Sequence, residues 1–250
     1  MIMLLLERGA KVHLAGTIGS PLSYAAAHAG EKTVKLLLEL GVHFEVDSIN
    51  ALVVAIHRGK EDIVRTILHH AVDFDHALAR SIVKAAETGH NGMINLLLTH
   101  GADINSIIEF ERLGSPYTSE LFPNAKQMIT PLSETARLNQ RSTVKLLLDR
   151  ETKPNVNGGQ ALQSCIGVFD TSLSSMELLL KYGADVDTTG GKHGSALNAT
   201  CSKNRIDIVR RLLDLKTNMN APISRLIPSL TGSKPLMYIS QATSTGAHSM

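Results

Sequence analysis

An all-α solenoid of stacked helix–turn–helix units is the fold class this sequence predicts, on three observations. One pattern recurs, its aliphatic slot falling at Leu22, Leu52, Ile82, Leu132, Leu162 and Leu197, roughly thirty residues apart with one larger gap. Most copies carry three consecutive leucines: Leu36-Leu37-Leu38, Leu96-Leu97-Leu98, Leu146-Leu147-Leu148 and Leu178-Leu179-Leu180. Three adjacent leucines cannot share one narrow helical stripe, so the helix holding them must be covered on two sides. One unit cannot supply that cover, whereas a stack can. Third, aromatic residues make up only 4% of the chain and tryptophan is absent, so the core is filled by Leu, Ile, Val and Ala between closely approaching helices.

Each unit repeats one local grammar. A short polar residue (Ser20, Asn50, Thr130, Ser195) is placed to cap the free N–H groups that open a first helix. Pro21 and Pro131 follow, where a missing N–H costs little. A small-residue segment such as Tyr24-Ala25-Ala26-Ala27 completes the helix, and a break falls near Gly30, Gly59 or Gly89. The second helix then carries the leucines and stops at Gly41, Gly101 or Gly183, as expected of a left-handed terminating turn.

The chain opens with Met3–Val12 reading as a second helix without its first, and Lys234-Pro235-Leu236-Met237-Tyr238 reads as a first helix never completed. Two half-units indicate a fragment of a longer array or a misplaced start; worn terminal caps are the other reading. Residues 106–129 break the period and form an inserted loop. Its Ile107, Ile108, Phe110 and Phe122 suggest that part of it packs back on the array. Residues 221–250 are expected to hold a degenerate or truncated repeat and a mobile Ser/Thr/Gly-rich tail.

Bulk charge narrows the function classes. Against 25 basic residues stand 23 acidic ones, a net +2, which argues against nucleic acid as the main ligand because phosphate binding needs a concentrated basic surface. The apolar start lacks the length of a signal peptide or membrane span. Two cysteines, Cys165 and Cys201, are too few for a disulfide framework. The chain therefore reads as soluble and intracellular, cytoplasmic rather than nuclear.

Reactive residue types are present, yet each has a structural reason to be where it is. His69, His70 and His100 end second helices, where imidazole can bond loose carbonyls and meet the negative dipole end. Adjacent His69 and His70 point about 100° apart, a poor chelating pair. Cys165 and Cys201 occupy small-residue slots of first helices and read as core. His193, Ser195 and Asp207 invite a triad, but Ser195 sits in a capping slot. No GxGxxG, P-loop, HExxH or CxxC spacing occurs. No enzyme, metal site or cofactor is expected.

The units resemble the ankyrin repeat family, whose T-P-L-H-x-A signature opens a helix–turn–helix–hairpin unit. Matching residues are Thr130-Pro131-Leu132, Ser20-Pro21-Leu22-Ser23-Tyr24-Ala25 and Ala86-Glu87-Thr88-Gly89-His90. The ends Gly101-Ala102-Asp103-Ile104-Asn105 and Gly183-Ala184-Asp185-Val186-Asp187 match as well. The likeness spans about residues 1–220: a partial unit over 1–19, then units from about 20, 50, 80, 130, 160 and 195. Histidine is mostly missing from the signature, and Asn139 and Asn204 stand where the family has glycine. Most links between units are about three residues short, so the hairpin fingers they form in the family should be short and partly stunted. Asp187–Gly194 is the internal link of full length. The slot of Phe44, Phe74, Ile104, Val186 and Met219 faces inward under the finger in the family, which makes it core.

This resemblance implies a scaffold that binds other proteins; the charge balance and the lack of a long apolar run point to no nucleic acid or membrane partner, and of the oligomeric states, which the sequence does not fix, a monomer is favoured. The alternative is a regulatory segment of a larger signalling protein. Family members meet partners with finger tips and first-helix surfaces, which form a concave groove. The corresponding positions here are His28, His57, Arg58, Glu87, Thr88, Arg137, Leu138, Ser202 and Lys203, with Lys192 and His193 on the full-length link.

Overall fold

The structure is a computed structural model that describes residues 8, 20–40, 44–70, 75–110, 127–166 and 172–214. Twelve helices occur among these residues, as six consecutive pairs. They are α1 (Pro21–His28) with α2 (Glu31–Glu39), α3 (Phe44–His57) with α4 (Glu61–His70), and α5 (Asp75–Thr88) with α6 (Asn91–Thr99). After two short strands, β1 (Ile108–Phe110) and β2 (Gln127–Ile129), come α7 (Pro131–Arg137) with α8 (Arg141–Asp149). The last pairs are α9 (Val156–Cys165) with α10 (Ser172–Lys181) and α11 (Ala196–Ser202) with α12 (Ile206–Asp214). First helices touch first helices all along the chain, from α1 through α3, α5, α7 and α9 to α11, and second helices pack on second helices from α2 to α4, α4 to α6 and α8 to α10. The described residues form an all-α solenoid with one two-stranded ribbon among them.

One continuous core runs through the stack. In each leucine triplet the central residue is shut in, with Leu97 and Leu147 fully buried, while Leu98 and Leu146 are only partly covered. That gradient is what coverage by both a partner helix and a neighbouring layer produces. Each fully buried aliphatic side chain contributes about 1.5–3 kcal/mol of apolar transfer.

Three first helices begin as their sequence dictates. The Ser20 Oγ accepts from the Ser23 N–H at 3.2 Å and the Ser195 Oγ from the Asn198 N–H at 3.1 Å. At Thr130 the cap is reciprocal: Thr130 Oγ1 accepts from the Ser133 N–H at 3.0 Å, and the Ser133 Oγ accepts from the Thr130 N–H at 2.9 Å. Asn50, expected to cap the second unit, does not: it lies within α3, which begins at Phe44. Likewise α5 begins at Asp75, upstream of Ser81. Residues 44–57 and 75–88 hold neither glycine nor proline, so nothing in these short links stops helix propagation. Helix here replaces the hairpin finger, and in α5 the added turn buries Ala77 and Leu78. The fingers are thus stunted by conversion to helix.

Inter-helix turns need a left-handed residue. Gly59 and Gly89 supply it with φ of 69° and 70°, and Asn139 and Asn204 do so with φ of 54°. Asparagine tolerates this region better than other side chains, so these departures from glycine cost little. Gly30 differs: with φ −97° it is the extended residue preceding α2.

Neighbouring layers are also joined by polar bonds from recurring slots. Lys60 Nζ donates back to Ala27 O and Ala29 O at 3.1 and 3.0 Å, and Gln140 Nε2 donates to Glu87 O at 2.7 Å, each satisfying the carbonyl end of the preceding first helix. Beyond the second helices, Asn105 Oδ1 accepts from the Lys153 N–H at 2.9 Å and Asn155 Oδ1 from the Asp185 N–H at 2.8 Å.

The ends of the insertion are ordered differently from the expected loop. Ile108, Glu109 and Phe110 pair antiparallel with Ile129, Met128 and Gln127. Strand alternation turns Ile108 and Ile129 onto Val83 of α5, where all three are buried, and leaves Ile107 and Met128 exposed. Of the apolar residues expected to pack back, Ile108 does and Ile107 does not; the side chain of Phe110 and all of Phe122 lie outside the described residues. Ile104 and Val186 pack against the main core, while Phe74 and Met219 lie outside the described residues, as does the Phe44 side chain. So do residues 221–250 and all of 1–19 except Arg8.

Candidate functional site

The thirty-residue period brings the end of each first helix to the same place in the row. His28 closes α1; His57 and Arg58 close α3; Glu87 and Thr88 close α5; Arg137 and Leu138 close α7; Ser202 and Lys203 close α11. His28, His57, Arg58 and Lys203 are exposed, and Glu87, Thr88, Arg137, Leu138 and Ser202 are half-buried. Some of these groups are committed within their own helix. Thr88 Oγ1 donates to Lys84 O at 3.0 Å and Ser202 Oγ to Ala199 O at 2.8 Å. The His28 ring lies against Tyr24, itself exposed, with centroids 4.7 Å apart.

Lys192 and His193 stand apart from that row, on the link between α10 and α11. The buried Gln163 of α9 holds this link: its Nε2 donates to Gly158 O and Gly190 O at 2.9 and 3.0 Å, and its Oε1 accepts from the His193 N–H at 3.0 Å. Residues 157–159 adopt left-handed backbone with φ of 53°, 64° and 66°, so the regular part of α9 starts only at Gln160. Desolvation of the half-buried His193 imidazole, helped by the Lys192 and Lys203 charges, pushes its pKa down to about 4. At neutral pH this ring is uncharged.

The insertion creates a feature that the sequence did not reveal. Between α3, α5, α7 and the β1–β2 ribbon lies an open hollow of about 260 Å³. Its floor is Val53, Val83, Ile108 and Ile129. Its rim carries both charge signs, largely paired: Lys84 Nζ sits 3.0 Å from Glu87 Oε2, and Arg137 Nη2 sits 2.6 Å from Glu134 Oε2. Glu87 and Arg137 thus belong to both the helix-end row and the hollow. The alternation Ile108-Glu109-Phe110 was the available signal for this wall, but two three-residue strands separated by an unpatterned insertion give too little periodicity to read.

Reactive groups elsewhere are placed for packing. Cys165 is buried, its Sγ donates to Leu162 O at 3.0 Å, and burial raises its pKa to about 12, so the nucleophilic thiolate is suppressed. Cys201 is partly exposed; burial raises its pKa too. Ser195 Oγ is engaged as a cap, and Asp207 pairs with Arg205 at 2.9 Å, which lowers its pKa. His70 and His100 each place Nδ1 2.9 Å from a carbonyl one turn back, that of Thr66 and that of Leu96. Among the described residues no three His, Cys, Asp or Glu side chains converge on a point that could hold a metal ion, and no helix is long and apolar enough to cross a membrane.

Comparison with known proteins agrees with this architecture. Residues 22–108 match the family model for ankyrin repeats, in three copies. By sequence, no curated protein gives a significant match. Among solved structures, the fold is similar to the ankyrin repeat domain of human ASB11, with TM-score 0.61, 23% identity, and coverage of 87% of this chain and 92% of that one. It is similar also to the ankyrin repeat domain of Bcl-3, a member of the IkappaB protein family, with TM-score 0.59, 22% identity, and coverage of 84% and 90%.

Proposed function

Since this chain carries ankyrin repeats, modules whose general role is protein–protein interaction, we propose that it is a non-enzymatic scaffold that binds partner proteins along its first-helix row. The observation that carries this reading is the row of helix ends running into the hollow walled by the β1–β2 ribbon. His57 and Arg58 are exposed and Lys84, Glu87 and Arg137 half-exposed beside an apolar floor, a combination of rim charge and buried centre that suits a protein surface. Mixed signs along the row favour protein over phosphate backbone, and the ordinary reasons for each Cys, His and Ser argue against catalysis. We further propose a monomeric, intracellular protein, cytoplasmic rather than nuclear.

Capture from cell extract tests this. The tagged full chain is compared with His57→Ala/Arg58→Glu, on the first-helix row, and with Lys145→Glu, exposed on second helix α8. Partners retained by the full chain and Lys145→Glu, but lost by the double variant, are expected. Partners lost only in Lys145→Glu, or turnover of a substrate by the purified chain, would reject the reading.

A further inference from the structure

We infer that the hollow between α3, α5, α7 and the ribbon seats a short segment of a partner protein, in which a Leu-, Ile- or Phe-sized side chain lies within two residues of a carboxylate; this rests on the scaffold reading above. Size is the first argument. At about 260 Å³ the hollow is below the roughly 300–1,000 Å³ of small-molecule and cofactor pockets, yet large enough for one bulky side chain. Composition is the second. The four aliphatic floor residues come from four different elements, α3, α5, β1 and β2, and leave an apolar contact surface that a free anion or sugar would not use. An apolar anchor desolvated in such a pocket is where interface energy concentrates.

Charge is the third argument, and it fixes the sign. Around the rim, Lys84 is balanced by Glu87 and Arg137 by Glu134, and the third rim carboxylate, Glu109 of β1, is also engaged. Arg80, exposed on α5 at the mouth, has no ion pair or hydrogen bond with any described residue. A guanidinium beside an apolar floor is completed by a carboxylate, which it can hold through two parallel N–H bonds. The ribbon matters because it supplies half of the floor, Ile108 and Ile129; without it the segment would lie on an open helix face.

The test pans the immobilised full chain against a displayed library of random peptides, then titrates labelled winners against variants. Winners are expected to place Asp or Glu within two residues of Leu, Ile or Phe. Their affinity should fall about tenfold or more in Arg80→Glu and clearly in Arg80→Gln, hold in Lys145→Glu, and weaken with added salt. Arg80 is exposed and unpaired, so both Arg80 variants should keep the parent melting temperature; the Gln variant removes charge without reversing it. Winners lacking acidic residues, or bound equally by both Arg80 variants but weakened by His57→Ala/Arg58→Glu, would overturn the inference and leave the scaffold reading standing. So would a library without winners if protein partners are still captured. No winners and no captured partner would sink both.

Discussion

Replacing Gly158 by alanine tests how the last layers are joined. Gly158 sits at φ 64°, where an alanine costs roughly 1–2 kcal/mol for conformation alone. A Cβ there would also fall 2.6 Å from the Gly190 Cα and 2.7 Å from the Gly191 N, backbone atoms that cannot swing aside as a side chain could. The two links must part. Gln163 then cannot keep its bonds to both Gly158 O and Gly190 O, and each lost bond is worth about 1 kcal/mol. The total expected loss is about 3 kcal/mol. Gly101→Ala is the control: its φ of 91° carries the conformational cost, but nothing lies within 4 Å of an added Cβ, so about 1–2 kcal/mol is expected. Urea denaturation of the full chain, followed by far-ultraviolet circular dichroism, compares the two variants. Equal losses would show that the two links do not touch and that α9 and α11 are not coupled through Gln163.

Leu147→Ala, at a fully buried site, should cost about 2–5 kcal/mol, and Leu146→Ala, partly covered in the same triplet, about half as much, by the same denaturation experiment; a reversed order would contradict the two-sided cover. In thiol labelling of the native chain, Cys201 should react measurably faster than Cys165, whose pKa stands near 12, and Cys165→Ala should lower stability without removing any activity. His193 gives a signed pH effect. Its folded pKa, about 4, lies below the unfolded value of 6.5, so the unfolded chain binds the extra proton between these limits. Its contribution is complete above about pH 6.5 and is lost as pH falls toward 4, by on the order of 2 kcal/mol after allowing for partial exposure. Stability curves of His193→Gln should lack that acid-side decline.

How far the sequence could be read depended on how many residues wrote each feature. The slot from Leu22 to Leu197 recurs six times and the leucine triplet in four of those units, so the helix pairs and their stacking were legible. Ser20, Thr130 and Ser195 were legible as caps because a capping hydroxyl next to proline or alanine is a local signal. Asn50 failed for a local reason too: the cap is used only if the preceding residues leave helix, and residues 44–49 contain nothing that makes them do so. Lys60, Gln140 and Gln163 act across 27 residues or more, through single side chains whose targets are backbone atoms, and no spacing rule announces such bonds. The hollow was illegible for the same reason, since Val53, Arg80, Val83 and Ile129 share a wall only after the insertion closes as a ribbon.

Partner binding along the first-helix row is tested by site-specific photo-crosslinking in extract, with a photoreactive phenylalanine analogue placed at Arg58 or, separately, at Lys145. Discrete higher-mass protein adducts are expected from position 58 and none from position 145. Adducts arising only from position 145, on the second-helix face, would contradict binding along that row.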